Sequence, residues 1–401
     1  MLNRVIDWFN TRYSPVALAK NTQPPMGVTK FTFYFINQFK AAFTLRMVLV
    51  AIGSVADAIM PIFVGLIVGM LATTPPGQMF ELHWQTFLWM VAVIVLVRPL
   101  TFILDTLVRN HAIVPNLVNI VRWQSHWHVI RQSWSYFQND FAGRIANKIM
   151  QAGESIESSV NMTIDAVWYA AIFVVVAITV MAGLDWVLLV PIAIWLILYG
   201  ILFTIVMPLI AKHSEDLSEA KSVVTGRIVD SYIDIHTMMT FSSDEHEDAY
   251  VSESVNDHAV EFNKLMRVFT YMWSMLFILN AGLVISITWL ALSAWNNGTL
   301  NAAAVATAIP FALQIMNMSG WILDIGSNTF RQIGTTRDSM DTIAQPITML
   351  DKPAAPKLVV HEDRIEFDDV SFNYWRGKEG TVMERFNLTI KPGEKVGLVG
   401  R

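Results

Sequence analysis

A few polar side chains interrupt the long apolar stretches of this 401-residue chain. Asp57 and Arg98 stand near the middle of two such stretches, Asn280, Gln314 and Asn317 inside others, and Asp105 and Asp324 near stretch ends. A charge or amide in a low-dielectric surround is costly, so it faces either a partner or a wet cavity. Such residues can hold the polar part of a passing molecule. They can equally form structural ion pairs or reach for an interface, and both readings stay open. The tail is a second place for chemistry. Lys391-Pro392-Gly393-Glu394 reads as a turn, Lys395-Val396-Gly397-Leu398-Val399 as a buried strand, and Gly400-Arg401 fall where that strand meets a loop. A phosphate-binding loop needs glycine there, then Lys for charge and Ser or Thr for magnesium. An ordinary turn would use the same glycine.

The elements that position these residues are apolar. Of the chain, 54% is hydrophobic and only 15% charged, far from the quarter typical of water-soluble domains. There is no Cys, hence no disulfide framework or thiolate metal site, and no basic tract suggests nucleic acid. The opening Met1–Phe9 lacks a continuous apolar core, so no signal peptide is expected. Residues 1–14 suit a short amphipathic helix within an extension over 1–27.

A membrane-crossing helix needs about 20 mostly apolar residues. Six stretches meet that requirement: about 44–71, 84–108, 161–182, 186–210, 270–293 and 303–325. The third and fourth are divided only by Gly183-Leu184-Asp185. The last two share 56 residues without Asp, Glu, Lys or Arg, broken by Asn296-Asn297-Gly298. Pro61 and Pro99 could bend the first two spans or simply pack there. Lys and Arg collect before the first span, after the second, after the fourth and after the sixth, and are missing from 72–83, 183–186 and 293–302. The positive-inside rule then places both termini in the cytoplasm.

The connections 109–160 and 212–264 each hold about fifty residues in which Pro115 is the only proline. In the second, Asp216, Glu219, Lys221, Asp230 and Asp234 alternate with Leu217, Val223, Ile228, Ile233 and Ile235 in an amphipathic helical pattern. Spans two to five should therefore continue as helices for roughly 35 Å beyond the bilayer and return. They would act as levers or as plain stalks. Pro353 and Pro356 mark a linker over 346–361, after which 364–367, 370–374 and 385–390 read as short strands.

The order of these parts resembles an exporter of the ATP-binding cassette (ABC) superfamily whose membrane and nucleotide-binding domains share one polypeptide. Val370-Ser371-Phe372-Asn373-Tyr374, then Phe386-Asn387-Leu388-Thr389-Ile390, then Lys391 to Gly400 are similar to the segments that lead into that family's Walker A loop. The resemblance covers about 28–401. It implies an α-helical polytopic membrane protein of the type I exporter fold, also called a type IV transporter. An elbow helix would occupy 28–40 and the transmembrane domain would run to 345, with the first strands of an α/β nucleotide-binding domain over 362–401. Tyr374 would stack on adenine, Gly400 would be the first Walker A glycine, and Arg401 the residue after it. Phe137, Gln138, Asn139, Asp140, Phe141, Ala142 and Gly143 would form the first coupling helix. Ser231, Tyr232, Ile233, Asp234, Ile235, His236 and Thr237 would form the second, docked on a partner's nucleotide-binding domain.

The resemblance implies ATP-driven export or flipping of a hydrophobic or amphiphilic molecule, by alternating access in a homodimer or heterodimer of half-transporters. The setting would be a cell membrane, the inner one in a bacterium. ATP and Mg2+ are the implied cofactors. The rest of Walker A, the glutamine loop, the signature motif, Walker B with its Glu and the switch His have no counterpart through Arg401. This chain by itself is therefore expected to supply the pathway without hydrolysing ATP, as a partial sequence or an interrupted gene. The alternative is a non-catalytic permease-like or assembly subunit.

Overall fold

The computed structural model describes residues 2–19, 23–138, 142–233, 235–241, 244–348, 359, 364–372, 383–397 and 399. The chain divides into two units, Met1–Thr348 and Met349–Arg401.

The first unit is helical. Six passages are long and apolar enough to cross a membrane: Val28–Thr73, Met79–Val129, Ala142–Leu184, Trp186–Ile233, Asp248–Asn296 and Ala302–Ile343. Each contains one expected span and runs well past it. Before them, α1 (Leu2–Asn10) is a short amphipathic helix. Helix α2 (Val28–Ile36) turns through Asn37–Phe39 into α3 (Lys40–Thr73). Phe31, Phe35 and Phe39 repeat every four residues, so they lie on one face and are fully buried.

The second passage comprises α4 (Met79–Val91), α5 (Arg98–Leu107) and α6 (Val114–Val129), joined by π-helical turns at Ala92–Val97 and Val108–Ile113. The Arg98 N–H bonds the Val93 carbonyl and the Val114 N–H that of Arg109, each five residues back and each just before a proline. Pro99 and Pro115 have no donor and crowd the carbonyl four residues back, and the wider turn relieves that crowding. Asn116 Nδ2 donates to the His111 and Ala112 carbonyls, 3.1 Å from each.

After α7 (Trp134–Gln138), the third passage is α8 (Ala142–Met162) and α9 (Tyr169–Leu184), with a π-helical turn at Thr163–Trp168 between them. Asp185 accepts from the Val187 N–H and sets the tight turn into α10 (Leu189–Ile233). α11 (Ile235–Phe241) precedes α12 (Asp244–Asn296). Gly298, with φ of 74°, makes the turn after it, and Asn301 caps α13 (Ala302–Ile343) by accepting from the Ala304 N–H. With 45, 53 and 42 residues, α10, α12 and α13 each outrun a hydrocarbon core of about 30 Å twofold or more.

Three apolar clusters hold the bundle. Phe31, Phe35 and Phe39 pack with Leu117 and Val121 of α6, with Ile149 and Ile156 of α8 and with Ile343. Phe173, Trp195, Ile287 and Phe311 join spans three to six, and Leu202, Met272 and Leu323 join four to six lower down. Spans one and six approach most closely at Gly65, where an added Cβ would lie 1.8 Å from Thr307 Oγ1 and 2.6 Å from the Ala303 carbonyl oxygen. Small residues permit such contact where lipid provides no hydrophobic drive between helices.

The second unit contains β1 (Ile365–Phe372) and β2 (Met383–Ile390), antiparallel with an irregularity around Asp369. The two short strands expected over 364–374 are thus one bent strand as far as Phe372. The expected buried strand over 395–399 is absent from the described residues, and Val399 is almost fully exposed. A mainly apolar strand needs neighbours on both sides, and no described strand pairs with it. Tyr374, Gly400 and Arg401 lie outside the described residues.

Candidate functional site

Spans one, two, three and six surround a cavity of about 650 Å³. Leu49, Val50, Phe102, Met162, Met318 and Trp321 provide its apolar walls, and Arg98, Asp105, Arg109, Asp165, Gln314 and Asn317 its polar ones. Of the residues singled out by position, Arg98, Asp105, Gln314 and Asn317 therefore line it directly.

Asp57 stands just behind Arg98. Its Oδ1 accepts from Arg98 Nε at 2.6 Å, its Oδ2 accepts from the Tyr169 hydroxyl at 2.7 Å, and its main-chain carbonyl accepts from Gln314 Nε2 at 3.2 Å. One residue of span one thus binds spans two, three and six. The Arg98 guanidinium also lies over the Phe102 ring, 5.8 Å from its centroid.

A second charged group lies one to three turns away along the same helices. Arg46 is fully buried, its Nε 3.2 Å from Asp105 Oδ1 and its terminal nitrogens bonded to Asn161 and Asp165. Arg109 lies 3.3 Å from the other oxygen of Asp165. The two groups together set Arg46, Arg98 and Arg109 against Asp57, Asp105 and Asp165. The cavity wall is therefore strongly dipolar but formally neutral. Each π-helical turn adjoins a member: Arg98 comes directly after the first, Arg109 lies in the second and Asp165 in the third. A widened turn rotates the helix beyond it, which lets long charged side chains converge here.

Asn280 is placed elsewhere. It is buried between spans four, five and six, accepting from Trp195 Nε1 at 3.0 Å and donating to Ser319 Oγ at 2.8 Å, away from the cavity lining. An amide in an apolar span is satisfied by a neighbouring helix as readily as by a cavity, and here Ser319 supplies that partner. Asp324 is exposed.

The expected coupling residues lie at the far ends of the long helices. Phe137 and Gln138 belong to α7, while Ala142 and Gly143 belong to α8. The apolar series Ile145, Ile149, Ala152, Ile156 buries one face of α8. Asn139, Asp140 and Phe141 fall outside the described residues, as does Asp234. Ser231, Tyr232 and Ile233 end α10, and Ile235, His236 and Thr237 belong to α11. Tyr232 and Ile233 are 72% and 74% exposed, two adjacent large apolar side chains at the end of α10.

Residues 43–319 match the ABC transporter transmembrane region. The chain belongs to the ABC transporter family. It is 31% identical over its full length to an uncharacterized ABC transporter ATP-binding protein of Haemophilus influenzae, 65% of which it spans. It is 22% identical to a putative multidrug export ATP-binding/permease protein of Bacillus subtilis, the match covering 68% of this chain and 47% of that one. With an ATP-dependent lipid A-core flippase of Desulfotalea psychrophila the identity is 21% over the same shares. A bacterial Atm1-family ABC exporter solved with ATP bound superposes with a TM-score of 0.72 at 14% identity, over 88% of this chain and 61% of that one. This ABC transporter chain thus has the type I exporter fold, with six apolar membrane-spanning helices.

Residue type and position singled out Arg98, Asp105, Gln314 and Asn317 but missed the rest of what surrounds them. Arg46 and Asp165, which the spans at about 44–71 and 161–182 contain near their ends, drew no expectation. The signal was present in the spacing: Asn161, Asp165 and Tyr169 recur every four residues, while Arg46 and Asp57, like Arg98 and Arg109, are eleven residues or about three turns apart.

Proposed function

We propose that this chain forms the membrane pathway of an ATP-driven exporter or flippase for a hydrophobic or amphiphilic molecule, working as a dimer of half-transporters. The cavity between spans one, two, three and six carries this reading. Its walls offer apolar surface to a tail or ring system and a neutral array of ion pairs to a polar head. The relatives named for multidrug export and for flipping lipid A-core are in keeping with such cargo.

In this reading both termini are cytoplasmic, in a bacterial inner membrane, and the transmembrane domain spans 28–345 with α2 as its elbow. The ends of α7 and α10, with α11, would be the coupling elements. Tyr232 and Ile233 would insert into a partner's nucleotide-binding domain, so that movement there tilts α10 and α12 and opens or closes the cavity. ATP with Mg2+ would supply the driving free energy in a completed cassette. The described part of the second unit is an exposed pair of antiparallel strands without a cluster of side chains suited to a triphosphate.

The test uses proteoliposomes in which this membrane domain is joined to a complete cassette. ATP-dependent translocation of fluorescent phospholipids and lipophilic dyes is expected, with Arg98→Ala and Asp57→Asn changing rate or substrate profile. An unchanged rate and profile in both variants would remove the cavity from the pathway.

A further inference from the structure

Beyond the apolar part of spans four and five, where α10 and α12 run side by side, lies a group of side chains with no role in the pathway above. His213 and Asp216 lie one turn apart on α10, and Glu261 faces them from α12, with one ligand-type atom from each within 4.8 Å of the others. His213 Nδ1 is shut off from solvent and has no hydrogen-bond partner, and its nearest carboxylate oxygen, on Asp216, is 3.6 Å away. A buried ring nitrogen left unsatisfied is unfavourable and calls for a partner. The adjoining groove, about 430 Å³, sets Asp216, Glu219, Asp257 and Glu261 against one cation, Lys264, whose Nζ is 2.7 Å from Glu261 Oε1.

We propose that His213, Asp216 and Glu261 form a binding site for a divalent first-row transition-metal cation that clips α10 to α12. One imidazole with two carboxylates suits Zn2+ or Mn2+ better than Mg2+ or Ca2+, which prefer all-oxygen shells. Ligand bonds of about 2.1 Å place tetrahedral ligand atoms roughly 3.4 Å apart, so the three groups must close by about an ångström. Rotation about the Glu261 and Asp216 side chains covers that distance. Three protein ligands leave a coordination position for water and make the cation exchangeable. The excess of carboxylates concentrates cations at the groove, while the Lys264 ammonium competes for Glu261. A bound cation would join two helices that the proposed mechanism needs to move together, so its occupancy would tune the stiffness of the lever.

The test uses the full chain, purified in detergent without a polyhistidine tag and freed of metal by EDTA. Zn2+ and Mn2+ are titrated calorimetrically, retained metal is measured after gel filtration, and thermal unfolding is followed with each ion and with Mg2+. One equivalent of Zn2+ per chain is expected, with a rise in Tm that Mg2+ does not reproduce. His213→Gln and Glu261→Gln should each weaken Zn2+ binding at least tenfold, and Lys264→Gln should tighten it severalfold. If His213→Gln does not fold, Glu261→Gln carries the same comparison. Zn2+ binding equal in wild type, His213→Gln and Glu261→Gln overturns the site, because the ion is then held by other histidines. No retained Zn2+ in wild type or in Lys264→Gln overturns it as well, and leaves the ammonium as the resident cation.

Discussion

Gln314 donates from Nε2 to the main-chain carbonyl of Asp57, 3.2 Å away. That carbonyl lies four residues before Pro61, whose missing N–H would otherwise have been its partner inside α3. Span six thus completes a hydrogen bond that span one cannot make alone, beside the cavity and beneath Arg98.

This relationship predicts a compensating pair. Gln314→Leu leaves a buried carbonyl unsatisfied and should cost about 1–3 kcal/mol. Pro61→Ala restores the intrahelical donor, so Gln314→Leu should cost much less in that background. Thermal unfolding of the two single variants and the double variant measures the coupling. Additive losses would show that the carbonyl has another partner.

Arg46 yields the largest predicted loss. It is fully buried against Asp105, Asp165 and Asn161, and removing it leaves Asp105 without its paired cation and Asp165 with Arg109 alone. Arg46→Met should destabilise by about 3–5 kcal/mol. Adding Asp105→Asn should recover much of that, because a neutral contact replaces the uncompensated carboxylate while Asp165 keeps Arg109. Folded yield and Tm in detergent report both outcomes.

Gly65 tests how tightly spans one and six are joined. In Gly65→Ala the new Cβ meets Thr307 Oγ1 at 1.8 Å and the Ala303 carbonyl at 2.6 Å unless the helices part. Overpacking of this kind costs roughly 1–3 kcal/mol. Thr307→Ala should relieve only part of it, since the Ala303 backbone remains. Comparing Tm across Gly65→Ala, Thr307→Ala and the double variant separates the side-chain clash from the main-chain one.

Tyr232 and Ile233 should separate stability from coupling. Both are largely exposed at the end of α10, so Tyr232→Ala and Ile233→Ser should alter stability by only about 0.5 kcal/mol. With a complete cassette attached, these variants should retain basal ATPase activity while losing most substrate translocation. Equal loss of both activities would mean that these side chains support the fold instead of transmitting motion.

The sequence alone settled the membrane class, the number of spans and the breaks between them. Those features depend on local quantities: the length of an uninterrupted apolar run, and turn-forming residues such as Asp185 and Gly298 that act within a few positions. It also located Arg98, Gln314 and Asn317 in the spans whose walls meet at the cavity. Only tertiary structure decided what those residues touch. Asn280 and Gln314 are both amides in apolar spans, yet one joins Trp195 and Ser319 in a helix interface while the other completes the Asp57 carbonyl at the cavity. Arg46 and Asp165 are 119 positions apart and become partners only when spans one and three pack. The pattern of apolar residues determines which face of each helix is buried, but not which distant helix supplies the missing donor or charge. That choice depends on how several helices, turned by prolines and π-helical turns, fit against one another at once.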